Sequence, residues 1–284
     1  MNHLGQFGSW AAGLGFFLLA TAPLHAGVVY EIEVKDYEES PPVTESVQAA
    51  VEGRYLKLGV VSPGQPEEVD SIFNSELREM VLVDHKEKSY MVMNEASMRQ
   101  LAGQVNSAMS EMQSQMEQML KDVPAGQRAE IEAMMKRQMP AVQQPTARPR
   151  DELKKTGERA TKSGYPCVKY EVWNGGRKIR EVWVTDWSNI EGGEEAASVF
   201  EDMAGFFREM IAAMPGAGEG ASNSDGNIFD IMDKVDGFPV ISTEYGDDGS
   251  KVVENTLVSA RRQTIDPDAF EPPGGYKRQE MFGP

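Results

Sequence analysis

The chain contains one cysteine, Cys167, and three histidines, His3, His25 and His85, in 284 residues. A lone thiol excludes a disulfide within the chain, a C-x-x-C redox pair and a His/Cys zinc site. A Ser-His-Asp arrangement would have to draw on those few imidazoles. His85 lies in DHKEK, the expected turn between MVLV and YMVM, and reads as a solvated turn residue. Basic residues are also short: 28 Lys and Arg against 45 Asp and Glu give a net charge of −17. Such a chain has no basic footprint for nucleic acid and is repelled by anionic lipid heads, while the excess charge favours solubility. Long apolar runs are missing except for Trp10–Leu24, which is shorter than the roughly 20 residues that a spanning helix needs.

That run sits inside Met1–Ala26, which opens on a short polar stretch without Lys or Arg and ends in Leu24-His25-Ala26. The pattern reads as a secretory signal peptide, residues 1–26, and the expected location is periplasmic or secreted, with no stable membrane span after processing. No Cys follows the run, so a lipid anchor on the mature chain is not expected.

What the chain does have is period two. In Gly164–Asp186, Val168, Tyr170 and Val172 alternate with Lys169, Glu171 and Trp173, and Ile179, Glu181 and Trp183 alternate with Arg180, Val182 and Val184. Two strands around a Gly175-Gly176 turn are predicted, with Val172 opposite Ile179, Glu171 opposite Arg180 and Val168 opposite Trp183. Further strands are predicted over Val28–Val34, Glu45–Val51, Arg54–Val61, Glu79–Val83, Ser89–Met93, Glu152–Thr161, Val240–Tyr245 and Lys251–Ala260. The connections are short and carry no helices between consecutive strands, which implies antiparallel pairing.

At Asn94 the period changes. Met98, Leu101, Val105, Met109, Met112, Met116 and Met119 recur at helical spacing behind an Asn94 cap. Pro124 and Gly126 interrupt the pattern before a second helix over 127–138, so residues 94–140 read as a helical insertion. Residues 141–151 read as a proline-marked linker and 215–227 as a flexible Gly/Ser-rich loop. Another helix is expected from Gly193 to Met214. The Asn223, Asp225 and Asn227 pattern misplaces its glycine and lacks the closing Glu of a calcium loop.

Eight of the 17 methionines fall between Met98 and Met139. Their face suits core or lid packing, an adaptable apolar ligand surface, or soft Cu(I) ligation, although no histidine assists the last. Abundant Asp and Glu form no specific catalytic pair, and no catalytic residue, metal or cofactor is assigned.

DHKEKSYMVM, the block TGERATKSGYPCVKYEVW...EVWVTD and the closing DPDAFEPPGGYKR resemble the secreted family known as domain of unknown function 4412. More distantly, antiparallel strands with helices on one face and the terminal Phe270-Glu271-Pro272 segment are similar to the periplasmic lipoprotein-carrier fold. That resemblance implies an incomplete barrel whose helices cover an apolar face, and function only by analogy. The expectation is a single α+β domain over 27–284: a curved antiparallel sheet of about ten strands, an incomplete barrel, with two helical excursions packed on one face. The expected role is a non-catalytic periplasmic or secreted protein that binds an apolar ligand, such as a lipid acyl chain or a hydrophobic peptide. The face from Met98 to Met119 is its candidate ligand surface. The alternative is an envelope structural or interaction module with a protein partner and no small ligand.

Overall fold

A computed structural model describes residues 26–61, 68–121, 151–213, 235 and 237–280. The segment 1–25, most of the 141–151 linker, the second helix at 127–138 and the 215–227 loop lie outside the described residues. Among the described residues twelve strands form one sheet in the order β12-β6-β5-β4-β3-β2-β1-β11-β10-β9-β8-β7. They are β1 (Ala26–Asp36), β2 (Val43–Glu52), β3 (Tyr55–Val61), β4 (Val69–Asn74), β5 (Glu79–Asp84), β6 (Ser89–Met93), β7 (Glu152–Lys162), β8 (Tyr165–Asn174), β9 (Arg177–Thr185), β10 (Phe238–Tyr245), β11 (Lys251–Thr264) and β12 (Lys277–Gln279). Two helices are described, α1 (Glu95–Lys121) and α2 (Gly193–Ala213). The chain lays down β1 to β6 outward from the centre, then returns from the far edge through β7 to β11, where β11 pairs with β1.

The fold expectation is corrected on these points. The sheet has twelve strands rather than about ten, it is mixed because β12 runs parallel to β6, and it dominates the described structure. β4 is not predicted by the sequence pattern because Asp70 and Ser71 interrupt its apolar run. β12, Lys277-Arg278-Gln279, is wholly exposed and carries no strand signature. Of the helical excursions, α2 packs against β2 and β3, whereas α1 meets α2 and β6.

The central hairpin turns at Gly175 and Gly176, both with positive φ, as the type I′ geometry of a two-residue loop requires. Its register departs from the prediction. Asn174 faces Arg177 and Trp173 faces Lys178, but a bulge then leaves Val172 opposite Arg180 and Glu171 opposite Glu181. The extra residue, Ile179, moves the charge pairing onto lysines: Lys178 lies 3.0 Å and Lys169 3.2 Å from the Glu181 carboxylate.

Period two gives the central strands two apolar faces. Val28 and Tyr30 of β1, Ala49 and Val51 of β2, Leu56 of β3 and Phe73 of β4 enter the main core together with Val199, Phe200, Met203 and Phe206 of α2. Their neighbours Val29 and Ile72 join Val83, Ile265 and Phe270 in a second cluster on the other face. α2 supplies its side chains at helical spacing, with Glu194 and Glu195 in its first turn where the helix dipole favours anions. Gly192 is required before it: its φ is +65°, and a Cβ there would meet Val28 Cγ2 at 2.1 Å.

Candidate apolar binding site

Where Phe200 of α2 and Phe238 of β10 approach β1, β2 and β3, the main core leaves a pocket of about 210 Å³. Ile32, Val34, Val47, Ala49, Leu58 and Leu257 form its apolar wall, and Pro239, Ser242 and Asn255 complete it. Strand alternation explains the wall: Ile32 opposes Val47 and Leu257, while Ala49 opposes Leu58. Ala49 is the small residue of the set, and its missing bulk helps leave the space. The aromatic rim is fixed by contacts of its own. Phe238 stacks on Tyr30 at 5.2 Å between centroids and meets Trp187 edge-on at 5.5 Å. Tyr30 OH donates to the Glu191 carbonyl at 3.0 Å, and burial pushes its phenol well above the ordinary range. Among the described residues no Lys, Arg, His, Asp or Glu lines the pocket. Ser242 is 3 % exposed, and among the described residues its Oγ has no hydrogen-bond partner.

A larger groove of about 420 Å³ lies between the start of α1, the end of α2 and the β4–β5 turn. Its lining is mixed: Met98, Phe206 and Met210 beside Arg78, Arg99, Glu95 and Glu209. Arg78 Nη2 donates to Glu209 Oε2 at 2.8 Å across it. Asn94 caps α1 as predicted, accepting from Ser97 N at 3.1 Å, while Asn94 N donates to Ser97 Oγ at 2.9 Å.

The predicted methionine face is spread out along α1. Met98 is buried and lines the larger groove, Leu101, Val105 and Met109 are half-buried, and Met112 is 47 % exposed. The side chains of Met116 and Met119 lie outside the described set. Of Met98, Leu101, Val105, Met109 and Met112, none lines the apolar pocket. The pocket residues carry no distinguishing pattern in the sequence, because they look like any strand interior. Only the serine and asparagine set into otherwise apolar positions of β10 and β11 signalled something different.

His85 is not a solvated turn residue. Its Nε2 lies 3.0 Å from Asp70 Oδ2 and its Nδ1 3.0 Å from Tyr276 OH, and Lys57 Nζ reaches the same Asp70 oxygen at 2.7 Å. Asp70 is 2 % exposed, so Lys57 and His85 stabilise a carboxylate that water does not reach. The C-terminal segment supplies Tyr276 and stacks Phe270 on Tyr55 at 5.3 Å. This cluster therefore fastens that segment over the second face.

At the other end of the sheet, burial would raise Glu181, but hydrogen bonds from Lys178 and Lys169 outweigh it and hold the carboxyl below the usual range. Burial would likewise lower Lys169 and Lys178, and their glutamate partners leave both raised. Cys167 is buried, which pushes its thiol up, and its Sγ contacts Tyr165 O at 3.4 Å. A thiol so placed is a packing group. Among the described residues no group of three or more His, Cys, Asp and Glu could hold a metal ion, and no helix is long and apolar enough to cross a membrane.

No protein-family model matches the chain, so the resemblance to domain of unknown function 4412 is without a family match. No curated protein matches it either. Among solved structures, an uncharacterized conserved protein from Thermus thermophilus aligns at 8 % identity and TM-score 0.40, over 88 % of this chain and 89 % of that one. MucB in complex with MucA(peri) aligns at 8 % identity and TM-score 0.34, over 89 % of this chain and 56 % of that one. The Pseudomonas aeruginosa MucA/MucB complex aligns at 7 % identity and TM-score 0.34, over 87 % and 55 %. This chain thus spans little more than half the length of those two. With every score below 0.5, no shared function follows.

Proposed function

We propose that the protein is a non-catalytic periplasmic or secreted binding protein that takes an apolar ligand segment, such as an acyl chain or a hydrophobic side chain of a peptide, into the pocket between α2 and β1–β3. The observation that carries this reading is the pocket itself, about 210 Å³, whose described lining is mainly aliphatic and aromatic and holds no charged side chain. An apolar cavity of about 150 Å³ is enough to stay dry and bind a benzene-sized guest, so this volume accepts a chain segment but not a whole large cofactor. The N-terminal signal-like segment supports the compartment. A second reading, an envelope interaction module, is favoured by the larger groove, whose apolar floor and charged rim suit a peptide strand or helix.

Fluorescent-probe titration with 1-aminoanthracene tests the first reading. Val47→Phe fills the pocket from its half-buried side and should weaken binding at least tenfold at unchanged melting temperature. The methionine face remains a proposed contributor, and Met109, Met112 and Met116 replaced together by leucine conserve volume. If the triple variant loses the probe while Val47→Phe keeps it, the ligand surface is the α1 face instead. If neither variant changes binding, or the wild type binds nothing, the apolar-carrier reading fails.

A further inference from the structure

Resting on that reading, we infer that the pocket is the inner end of a narrow apolar track that crosses the sheet from Leu257 to Val69, and that its occupant is the long alkyl tail of a single-chain amphiphile. The track follows from the register. Leu257 of β11 opposes Ile32 of β1, Ile32 opposes Val47 of β2, and Val47 opposes Val60 of β3. Asp70 faces Gly59, so its chain neighbour Val69 on β4 continues the same row beside Val60. Leu257, Ile32 and Val47 line the pocket, and the row carries on beyond it. Exposure rises outward: Leu257 is buried, Ile32 and Val47 are half-buried, and Val60 and Val69 are 39 % and 48 % exposed. Single exposed apolar side chains are ordinary, but these two extend a wall that already encloses a cavity. Four strand-to-strand steps of about 4.8 Å make the row about 19 Å long.

The neighbours of the row set its width and its occupant. Two positions along the same strands, and so on the same face, Glu45 flanks Val47 on one side and Ser71 flanks Val69 on the other. Val69 pairs with Asp84, so the apolar row stops at a carboxylate and the head group leaves the surface there. β11, β1, β2, β3 and β4 each have a hydrogen-bonded strand on both sides, so their backbone groups are committed to the ladders. A peptide laid across them would cover its own N–H and C=O groups with no strand edge to pair them. An alkyl chain brings no such groups, and each methylene fully removed from water tightens binding about fourfold, less where the surface stays half open.

The test is displacement of 1-aminoanthracene by octyl, decyl, dodecyl and tetradecyl maltoside, each below its micellar concentration, and by a lysine-flanked oligoleucine peptide. The full chain is compared with a variant carrying Val60→Thr and Val69→Thr, which keeps the β-branched shape at both exposed sites. In the wild type, affinity should climb through the series, with tetradecyl at least about tenfold tighter than octyl. In the double variant that ratio should shrink about threefold or more, while octyl maltoside and the probe bind as before. Circular dichroism melting of the variant separates loss of fold from loss of the track. Affinity that levels off at octyl in the wild type, or a ratio unchanged in the double variant, overturns the track and leaves the pocket standing. Tighter displacement by the peptide than by tetradecyl maltoside overturns the alkyl occupant. Failure of every compound and of the probe overturns both readings.

Discussion

The two faces of the central strands are built from alternate residues of the same sequence, yet they are finished differently. On one face Val28, Tyr30, Leu56 and Phe73 meet the aromatic stripe of α2, and the fit leaves a pocket. On the other, Val29, Ile72 and Val83 are closed by a C-terminal segment fastened through Phe270, Tyr276 and the Asp70–His85 pair. A helix presents bulky knobs that must match a pleated surface, and where small Ala49 lies beneath them the match leaves space. An extended segment follows the strands closely and adds hydrogen bonds of its own, such as Lys277 N to Lys88 O at 3.0 Å. The first face keeps an open space and the second holds the sheet's edge.

The largest expected effect comes from breaking the helix-covered face. Phe73 is 1 % exposed and meets Phe206 at 5.6 Å, so Phe73→Ala should cost about 3–5 kcal/mol in urea unfolding. A loss under about 1 kcal/mol would show that α2 is not the principal cover of the core.

Next is the fastened face. His85→Ala removes two side-chain contacts and leaves Lys57 as the remaining close partner of Asp70, at an expected cost of about 1–2 kcal/mol. Amide exchange should accelerate at Lys277 far more than at Val29 or Tyr30, since only the former is bonded through the C-terminal segment. Uniform acceleration would contradict a local clasp.

A smaller effect separates both faces from the charge-laced hairpin of β8 and β9. Glu181 and, at β11, Glu254 are held below the ordinary carboxylate range. At Glu254 burial is outweighed by hydrogen bonds from Lys251 and Thr243. Their stabilisation is present above the unfolded Glu value of about 4.3 and is lost as pH falls through the lowered folded values. Lys169 and Lys178 are raised, so theirs is present below the unfolded Lys value of about 10.4 and is lost as pH rises through the folded values. Melting temperature against pH should therefore drop at both ends, and Glu181→Gln should flatten both limbs. An unchanged profile in that variant would remove the network as the cause.

The smallest change is Cys167→Ser, expected to cost roughly 1 kcal/mol with no change of oligomeric state, because the thiol is buried and has no second cysteine in the chain to bond. A covalent dimer of the wild type lost in the serine variant would contradict that placement.

Local sequence was sufficient wherever local chemistry decides structure. Alternation marked ten of the twelve strands, Gly175-Gly176 set the hairpin turn, Asn94 capped α1, and the 3–4 spacing from Val199 to Met210 made α2. It also set the charge balance and ruled out disulfides. Tertiary structure alone decided the rest. Pairing of β1 with β11 joins residues more than two hundred apart, and β12 became a strand only because β6 offered it an edge. The bulge at Ile179 moved Glu181 onto Lys169 and Lys178, and His85 was drawn out of solvent by Asp70 and Tyr276, neither adjacent in sequence. The pocket belongs to the same class: Ala49, Leu58, Phe200 and Ser242 read singly as ordinary interior residues. Only the packing of α2 across the strands determines that they enclose a space, because a cavity is what several side chains fail to fill together.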